Sequence, residues 1–492
     1  MRNQSTMAGG TNSALVSTAA TLRQQVYLQL RGAIEQGTFA PGARLPPSRD
    51  HALALGVGRN TVLWALERLR AEGYVVARVG DGSYVAPGLA ALRGGRRRVA
   101  AIAPAGALSK RGQAIADIAL RWRPPTQLPV AFRIGAPATA EFPFALWDRL
   151  ARDTAAPRRR ALSQYTDPAG EPALREAIAQ WLLVSRGIRC EASQVLVTSG
   201  SQQGIDLIGR LLLDLGDEVM VEDPGYPGIR ANLLGQGAVV RPVPLDADGL
   251  CIAQGAARWP QARMAVVTPT HQFPMGVHMS LARRLALLDW ARTRRAWIVE
   301  DDYDGEFQYG AHRMPALCSL PQSERVLYVG TFSKTLHPGL RLGFIVMPLA
   351  LAPAFAGAKA VTDRHSPGAA QDVLARFITE GHLLRHLRRM RELYALRQEL
   401  VIETLAKASG GALRLLPSAQ GMHLAHEDEA GRPDEPLSAR AQEGGVYLAT
   451  LSRYAIEAPR RGWLFGYAGY DEAALRAAAR TVGRLVAQLR SG

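Results

Sequence analysis

Cysteine and lysine are the scarce residues of this 492-residue chain. Its three cysteines, Cys190, Cys251 and Cys318, are widely spaced. Isolated thiols exclude a disulfide scaffold and a cysteine-based zinc site, and they fit a reducing, cytoplasmic compartment. Long apolar runs are lacking too. No stretch reaches the roughly 18 uninterrupted apolar residues of a membrane-spanning helix, which argues against a membrane protein. The N-terminal MRNQSTMAGGTNSALVSTAA lacks the apolar core of a secretory signal. What remains is ordinary globular composition, 47% hydrophobic and 21% charged. That composition excludes wholesale disorder, and the length suggests about two to four domains.

Charge is unevenly spread. Residues 1–98 hold 13 arginines, no lysine and five acidic residues, a net +8 within a chain of +16. A basic module attracts polyanions, nucleic acid first. Of 59 basic residues only Lys110, Lys334, Lys359 and Lys407 are lysines. Arginine stays protonated and cannot form a Schiff base; lysine can.

The chain reads in three parts. In residues 18–87, Leu22, Val26, Leu30 and Ile34 recur every four positions, with Gly37 as a C-terminal cap. A second short helix opens at Pro46-Pro47-Ser48, with Ser48 expected as N-cap, and a third spans 60–72 with apolar Val62, Ala65, Leu66 and Leu69. Asp81-Gly82 between two β-rich runs marks a hairpin. Three helices and a hairpin describe a winged helix-turn-helix. Residues 88–128, rich in Pro, Gly and Ala, read as a linker, with a short helix near 115–122. From 129 to 492, apolar strands (195–198, 218–222, 264–268, 296–300, 326–330, 343–347) alternate with helical stretches. This is the pattern of a largely parallel α/β sheet. A large subdomain is expected over 155–370, followed by a smaller α+β subdomain over 370–492.

Gly58-Arg59-Asn60-Thr61 opens the third helix, the end that enters the major groove in helix-turn-helix proteins. Arg59 suits guanine edges or phosphate, and Thr61 can donate to phosphate. Arg44, Ser48 and Arg49 flank it, and the wing carries Arg78 and Gly82. The segment LPPSRDHALALGVGRNTVLWALERLRAEGYVVARVGDGSYV resembles the GntR-type winged helix over about 70 residues. The resemblance implies double-stranded promoter DNA as partner.

Three clusters lie at strand ends in the third part, where α/β sheets bind ligands. TFSKTLHPGLRLGF supplies Thr331, Lys334 and Arg341; EDDYDGEF supplies Asp301 and Tyr303; VTSGSQQGIDL places Ser201 and Gln202 at a helix start suited to phosphate. An aldehyde for the lysine, a ring nitrogen for the carboxylate and a phosphate for the helix start together describe pyridoxal 5′-phosphate. Lys334 is the Schiff-base residue. Asp301 holds the pyridine nitrogen, Tyr303 the phenolic oxygen, and Ser201, Gln202, Thr331 and Arg341 the phosphate. No metal site is expected.

This region resembles fold-type I aminotransferases over nearly 360 residues. The resemblance implies that Tyr226 of DPGYPG stacks on the cofactor and that Tyr165 of YTDPAGEPALR reaches the phosphate of the partner subunit. The two domains together resemble the MocR family, the GabR-like branch of GntR regulators. That implies a transcriptional regulator and a head-to-tail, domain-swapped homodimer. It also implies an effector, pyridoxal phosphate itself or an amine adduct, controlling vitamin B6 or amino-compound genes. A working aminotransferase with an accessory DNA-binding domain is the alternative. Against turnover, Phe273 stands where aminotransferases carry asparagine. Leu464 stands where they carry the arginine for the substrate carboxylate, with Arg460 and Arg461 nearby. Gly228 stands where GABA-responsive relatives carry a basic residue.

Overall fold

A computed structural model describes residues 22–78, 81–88, 108–122, 131–158, 163–309, 314–413, 415, 417–457 and 460–491. The chain divides into two units, Met1–Ala107 and Leu108–Gly492.

The first unit holds helices α1 (Leu22–Gln36), α2 (Ser48–Leu55) and α3 (Arg59–Ala71) and a hairpin of β1 (Val75–Arg78) and β2 (Gly82–Val85). The four expected helical residues 18–21 lie outside the described residues. The every-fourth-residue pattern buries Val26, Leu30 and Ile34, whereas Leu22 at the helix start is 55% exposed. These pack on Val62, Ala65, Leu66 and Leu69 of α3 and on Val75 and Val85 of the hairpin. Gly37 takes φ 85°, and the chain folds back so that Thr38 N–H donates to Ala33 C=O at 2.9 Å. Ser48 is not an N-cap. Pro47 holds that position and Ser48 is already helical. With its own hydroxyl freed from capping, Ser48 instead accepts from Arg59 Nε at 3.2 Å.

The second unit is built on an eight-stranded sheet. Its strands are β3 (Val195–Thr198), β4 (Glu218–Asp223), β5 (Val239–Asp246), β6 (Gly249–Leu250), β7 (Met264–Val267), β8 (Trp297–Asp302), β9 (Val326–Thr331) and β10 (Gly343–Val346). The order is β3-β10-β9-β8-β7-β4-β5-β6. The run β9-β8-β7-β4-β5 is parallel, and β10 lies antiparallel between β3 and β9. β3, β7, β9 and β10 are buried at every residue, because helices cover the sheet. β5 was not expected: its sequence VVRPVPLD carries two prolines. Beyond β4, β5 pairs only through Leu245 and Asp246 with the two-residue β6, so the prolines cost few ladder bonds. Within the range read as linker, the chain forms a helix over Lys110–Trp122, longer than the one expected over 115–122. It lies against helix Pro227–Gln236, with Ile115 Cδ1 3.0 Å from where a Cβ on Gly235 would stand.

A small antiparallel sheet, β11 (His423–Glu427), β13 (Gly462–Gly466) and β12 (Ala449–Thr450), packs with helices His382–Ala408 and Glu472–Ser491. Phe132 bridges to Gly466, so the segment after residue 130 joins the C-terminal core.

Candidate cofactor and DNA-binding sites

Lys334 sits in the turn of helix (Phe332–Thr335) that leaves β9, capped by Thr331, whose hydroxyl accepts from Ser333 N–H at 3.2 Å. Its amine donates to Gly135 C=O at 2.8 Å. Gly135 has φ 67°, and a Cβ there would lie 2.8 Å from Nζ, so a bulkier residue would crowd the amine. Burial, with Arg133 adding, holds the amine below the ordinary lysine range, while Asp304 and Asp301 pull the other way. A lysine so depressed spends more time as the unprotonated nucleophile.

Asp301 is the penultimate residue of β8, which runs two residues further than expected from the strand read over 296–300. It is buried, and its Oδ1 has no hydrogen-bond partner among the described residues. Burial, then Asp302, Glu222 and Asp304, push its carboxyl up to about 7, against Lys334. A buried orphan acceptor beside a lysine asks for a cationic donor, and a protonated ring nitrogen is one. Next door, Asp302 pairs with buried Arg186 at 2.7 Å and accepts from Tyr328 Oη at 2.7 Å. Asp301 is therefore the carboxylate left over for a ligand.

Ser201 and Gln202 open helix Ser201–Leu212 behind Gly200, which has φ 128°. A Cβ on Gly200 would stand 3.7 Å from Arg341 Nη1, so the guanidinium lies beside this helix N-terminus. Gln202 Oε1 accepts from Asn232 at 2.7 Å, and its buried Nε2 is unpaired among the described residues. Helix dipole, open amide and cation make one anion cradle. These residues fit pyridoxal phosphate. The group, when bound, supplies an aldehyde to the lysine and an electron-withdrawing ring.

Tyr226 precedes helix Pro227–Gln236 and packs edge-on to Phe273 at 5.5 Å. Phe273 also meets Tyr303, His423 and Tyr454, so an aromatic wall replaces the amide an asparagine would offer. Tyr303 Oη lies 3.0 Å from His271 Nδ1, a partner the sequence reading missed. Tyr165 is 83% exposed, with His365 and Arg364 against its ring. Leu464 is fully buried with Ala449, Leu451 and Tyr454. Arg460 donates to Leu245 C=O at 2.8 Å, and Arg461 pairs with Asp434 and Glu435. Neither arginine is spare to replace the clamp. A Cβ on Gly228 would press to 2.6 Å from the Tyr226 ring, so a basic side chain there would displace it.

In the first unit, Arg44, Arg49, Arg59, Asn60, Arg78 and Gly82 are exposed, and Ser48 and Thr61 are half-buried. Arg59, Asn60 and Thr61 form the first turn of α3. At the wing, Arg44 pairs with Asp81 at 3.7 Å and Arg78 lies over the Tyr84 ring at 4.3 Å.

Two family models match the chain: bacterial regulatory proteins of the gntR family over residues 22–85, and aminotransferase class I and II over 135–482. The probable rhizopine catabolism regulatory protein MocR of Rhizobium meliloti is 38% identical, across 92% of both chains. The chain belongs to the MocR-like regulators of the gntR family. The pyridoxine biosynthesis transcriptional regulator PdxR of Corynebacterium glutamicum is 30% identical over 92% of this chain and 93% of its own. In structure, the second unit resembles LysN, the α-aminoadipate aminotransferase of Thermus thermophilus. That similarity has a TM-score of 0.69 and 28% identity over 78% of this chain and all of LysN, which was solved with a phosphopyridoxyl-leucine adduct. The expected fold and membership both hold: a gntR-type winged helix and a fold-type I aminotransferase domain, the fold of pyridoxal-phosphate proteins.

Proposed function

We propose that the chain is a cytoplasmic regulator that binds promoter DNA through the first turn of α3 and the wing. Pyridoxal phosphate binds covalently at Lys334, and that site tunes DNA binding. Asp301 pairs with the ring nitrogen. Tyr303 donates to the phenolic oxygen, and Tyr226 stacks on the ring. Ser201, Gln202, Thr331 and Arg341 hold the phosphate. Arg44, Ser48, Arg49, Arg59, Asn60, Thr61, Arg78 and Gly82 form the DNA surface. The observation that carries the reading is the unpaired, buried Asp301 Oδ1 beside Lys334. A domain with no bound cofactor would gain nothing from that cost.

The subunits pair as a head-to-tail, domain-swapped homodimer, and Tyr165 completes the partner's phosphate site. Its exposure in one chain supports this reading. The effector is pyridoxal phosphate or its adduct with a small amine, and the targets are vitamin B6 or amino-compound genes. The buried Leu464 at the clamp position supports a sensor over an active aminotransferase. A ligand shifts such a regulator only if it binds two of its states unequally.

The test is fluorescence anisotropy of the DNA upstream of the gene, titrated with protein with and without pyridoxal phosphate. The cofactor should change the apparent affinity, and Arg59→Ala should lose DNA binding while keeping the visible cofactor band. Equal affinities with and without cofactor, alongside turnover of an amino acid with an oxo acid, would establish the enzyme instead.

A further inference from the structure

Tyr303 does not stand alone. Its hydroxyl and the Asp304 carboxylate both meet one nitrogen, His271 Nδ1, at 3.0 and 2.8 Å. The His271 and Asp304 side chains are buried, 0% and 1% exposed. His423 packs on the His271 ring at 4.8 Å and points its own Nε2 at Pro274 C=O, 3.0 Å away. The other nitrogen of His271, Nε2, is buried with no partner among the described residues. The ring cannot turn freely, because Gly421 backs it so closely that a Cβ there would overlap Cε1.

One nitrogen with two oxygen neighbours must choose. If Nδ1 were bare, it would accept from Tyr303. His271 would then carry its proton on Nε2, where nothing accepts it, and Asp304 would lose its donor. If Nδ1 carries the proton, it donates to the carboxylate and leaves only a lone pair on Nε2. An unmet buried donor is costlier than an unmet lone pair, and a carboxylate gains more from a donor than a phenol loses. Nδ1 therefore carries a proton and donates it to Asp304. The phenol oxygen beside it sits on the donor side, and the phenol's own proton is directed elsewhere.

We infer that His271, fixed by Asp304, is a positioning residue for Tyr303, making the phenol a one-way hydrogen-bond donor toward the phenolic oxygen of a bound pyridoxal phosphate. The inference rests on the cofactor reading above. Without His271, the freed Asp304 carboxylate competes for the phenol proton. The cofactor's ring oxygen then keeps more negative charge and holds a neighbouring proton more tightly. The other ionisable groups around the cluster are Asp301, Asp302, Glu222, His278, His423, Lys334, Arg133, Tyr309 and Tyr467. All are left in place by a change at residue 271. Burial keeps His423 neutral, its ring pushed down to about 3, so it does not titrate in the working range.

The experiment is a pH titration of the visible absorption of the full-length holoprotein. His271→Leu removes the donor. His271→Asn puts an amide N–H near the place of Nδ1 and should rescue it. His271→Leu is expected to raise the midpoint of the transition by about one pH unit, the shift from losing part of one charge-assisted hydrogen bond. His271→Asn should stay near the wild-type midpoint. A His271→Leu midpoint equal to wild type overturns the inference, as does an equal shift in both variants. The ligand atoms of His271, Asp304 and His423 lie within 4.8 Å of one another. A wild-type midpoint moved by zinc and restored by a chelator would make the trio a cation site and also overturn the inference. If wild-type protein develops no visible band at all, the cofactor reading itself fails, a different outcome from a band whose midpoint ignores residue 271.

Discussion

Replacing Asp301 with asparagine should stabilise the cofactor-free protein at high pH and weaken it once cofactor is added. In the fold the Asp301 carboxyl is pushed up to about 7 by burial and by Asp302, Glu222 and Asp304. In the unfolded chain it titrates near its ordinary value of 3.8. Between those values the folded state holds a proton that the unfolded state has lost. Stability conferred by the protonated form is full below about pH 4 and falls as pH rises toward 7. At 1.36 kcal/mol per unit, a shift from 3.8 to about 7 corresponds to at most roughly 4 kcal/mol lost by pH 8. Glu222 and Glu300, pushed up to about 7 and about 6 by burial, contribute slopes of the same sign. The comparison of wild type with Asp301→Asn isolates residue 301. Thermal unfolding of the cofactor-free pair should show the variant more stable at pH 8 by a few degrees and the difference vanishing at pH 4. With pyridoxal phosphate the order should reverse at pH 8, because the ring nitrogen loses its ionic partner. A variant destabilised equally at both pH values, with and without cofactor, would refute the reasoning that Asp301 is a strained ligand group.

Arg59→Ala should lower affinity for promoter DNA by about 10- to 100-fold, with a shallower salt dependence if Arg59 meets phosphate, read by anisotropy at several salt concentrations. Arg186→Met removes the ionic partner of buried Asp302 and should destabilise the second unit by about 3–5 kcal/mol in denaturant unfolding, since the carboxylate stays buried with only the Tyr328 hydroxyl for a partner. Tyr165→Phe should weaken cofactor retention in the assembled protein without changing thermal stability of the cofactor-free chain, because the exposed side chain packs on little within its own subunit. Equal cofactor dissociation constants for wild type and Tyr165→Phe would remove Tyr165 from the phosphate site.

Much of this architecture is legible in residue order. Strongly apolar runs such as VLVT and VLYVG belong in a covered sheet, and both are buried there, VLYVG in an inner strand and VLVT in the edge strand β3. The first unit is equally direct, because Val26, Leu30 and Ile34 can share one helix face in only one way. Where local rules misled, a neighbour decided. Ser48 has the chemistry of an N-cap, but the proline before it already holds the cap position, and Arg59 takes the hydroxyl. β5 is masked by its prolines, which a central strand would reject and this nearly unpaired flank accepts. The site shows the same division. Lys334 and Ser201 follow strand ends, Asp301 lies at the end of one, and all three can be found from pattern alone. His271 and His423 cannot, because only the fold brings them to Asp304. The acidic run EDDYDGEF hinted at unusual electrostatics without naming a partner for each carboxyl. The fold assigns Arg186 to Asp302 and His271 to Asp304, and leaves Asp301 Oδ1 without a partner among the described residues.

The most direct measurement is borohydride reduction of the protein mixed with pyridoxal phosphate, followed by tryptic digestion and mass spectrometry. The four lysines differ sharply: Lys359 is buried against Asp363, and Lys407 is 81% exposed at a helix end. The account predicts a phosphopyridoxyl group on the peptide VLYVGTFSKTLHPGLR, uncleaved at Lys334. Label confined to Lys110, Lys359 or Lys407, or no label on any peptide, would contradict it.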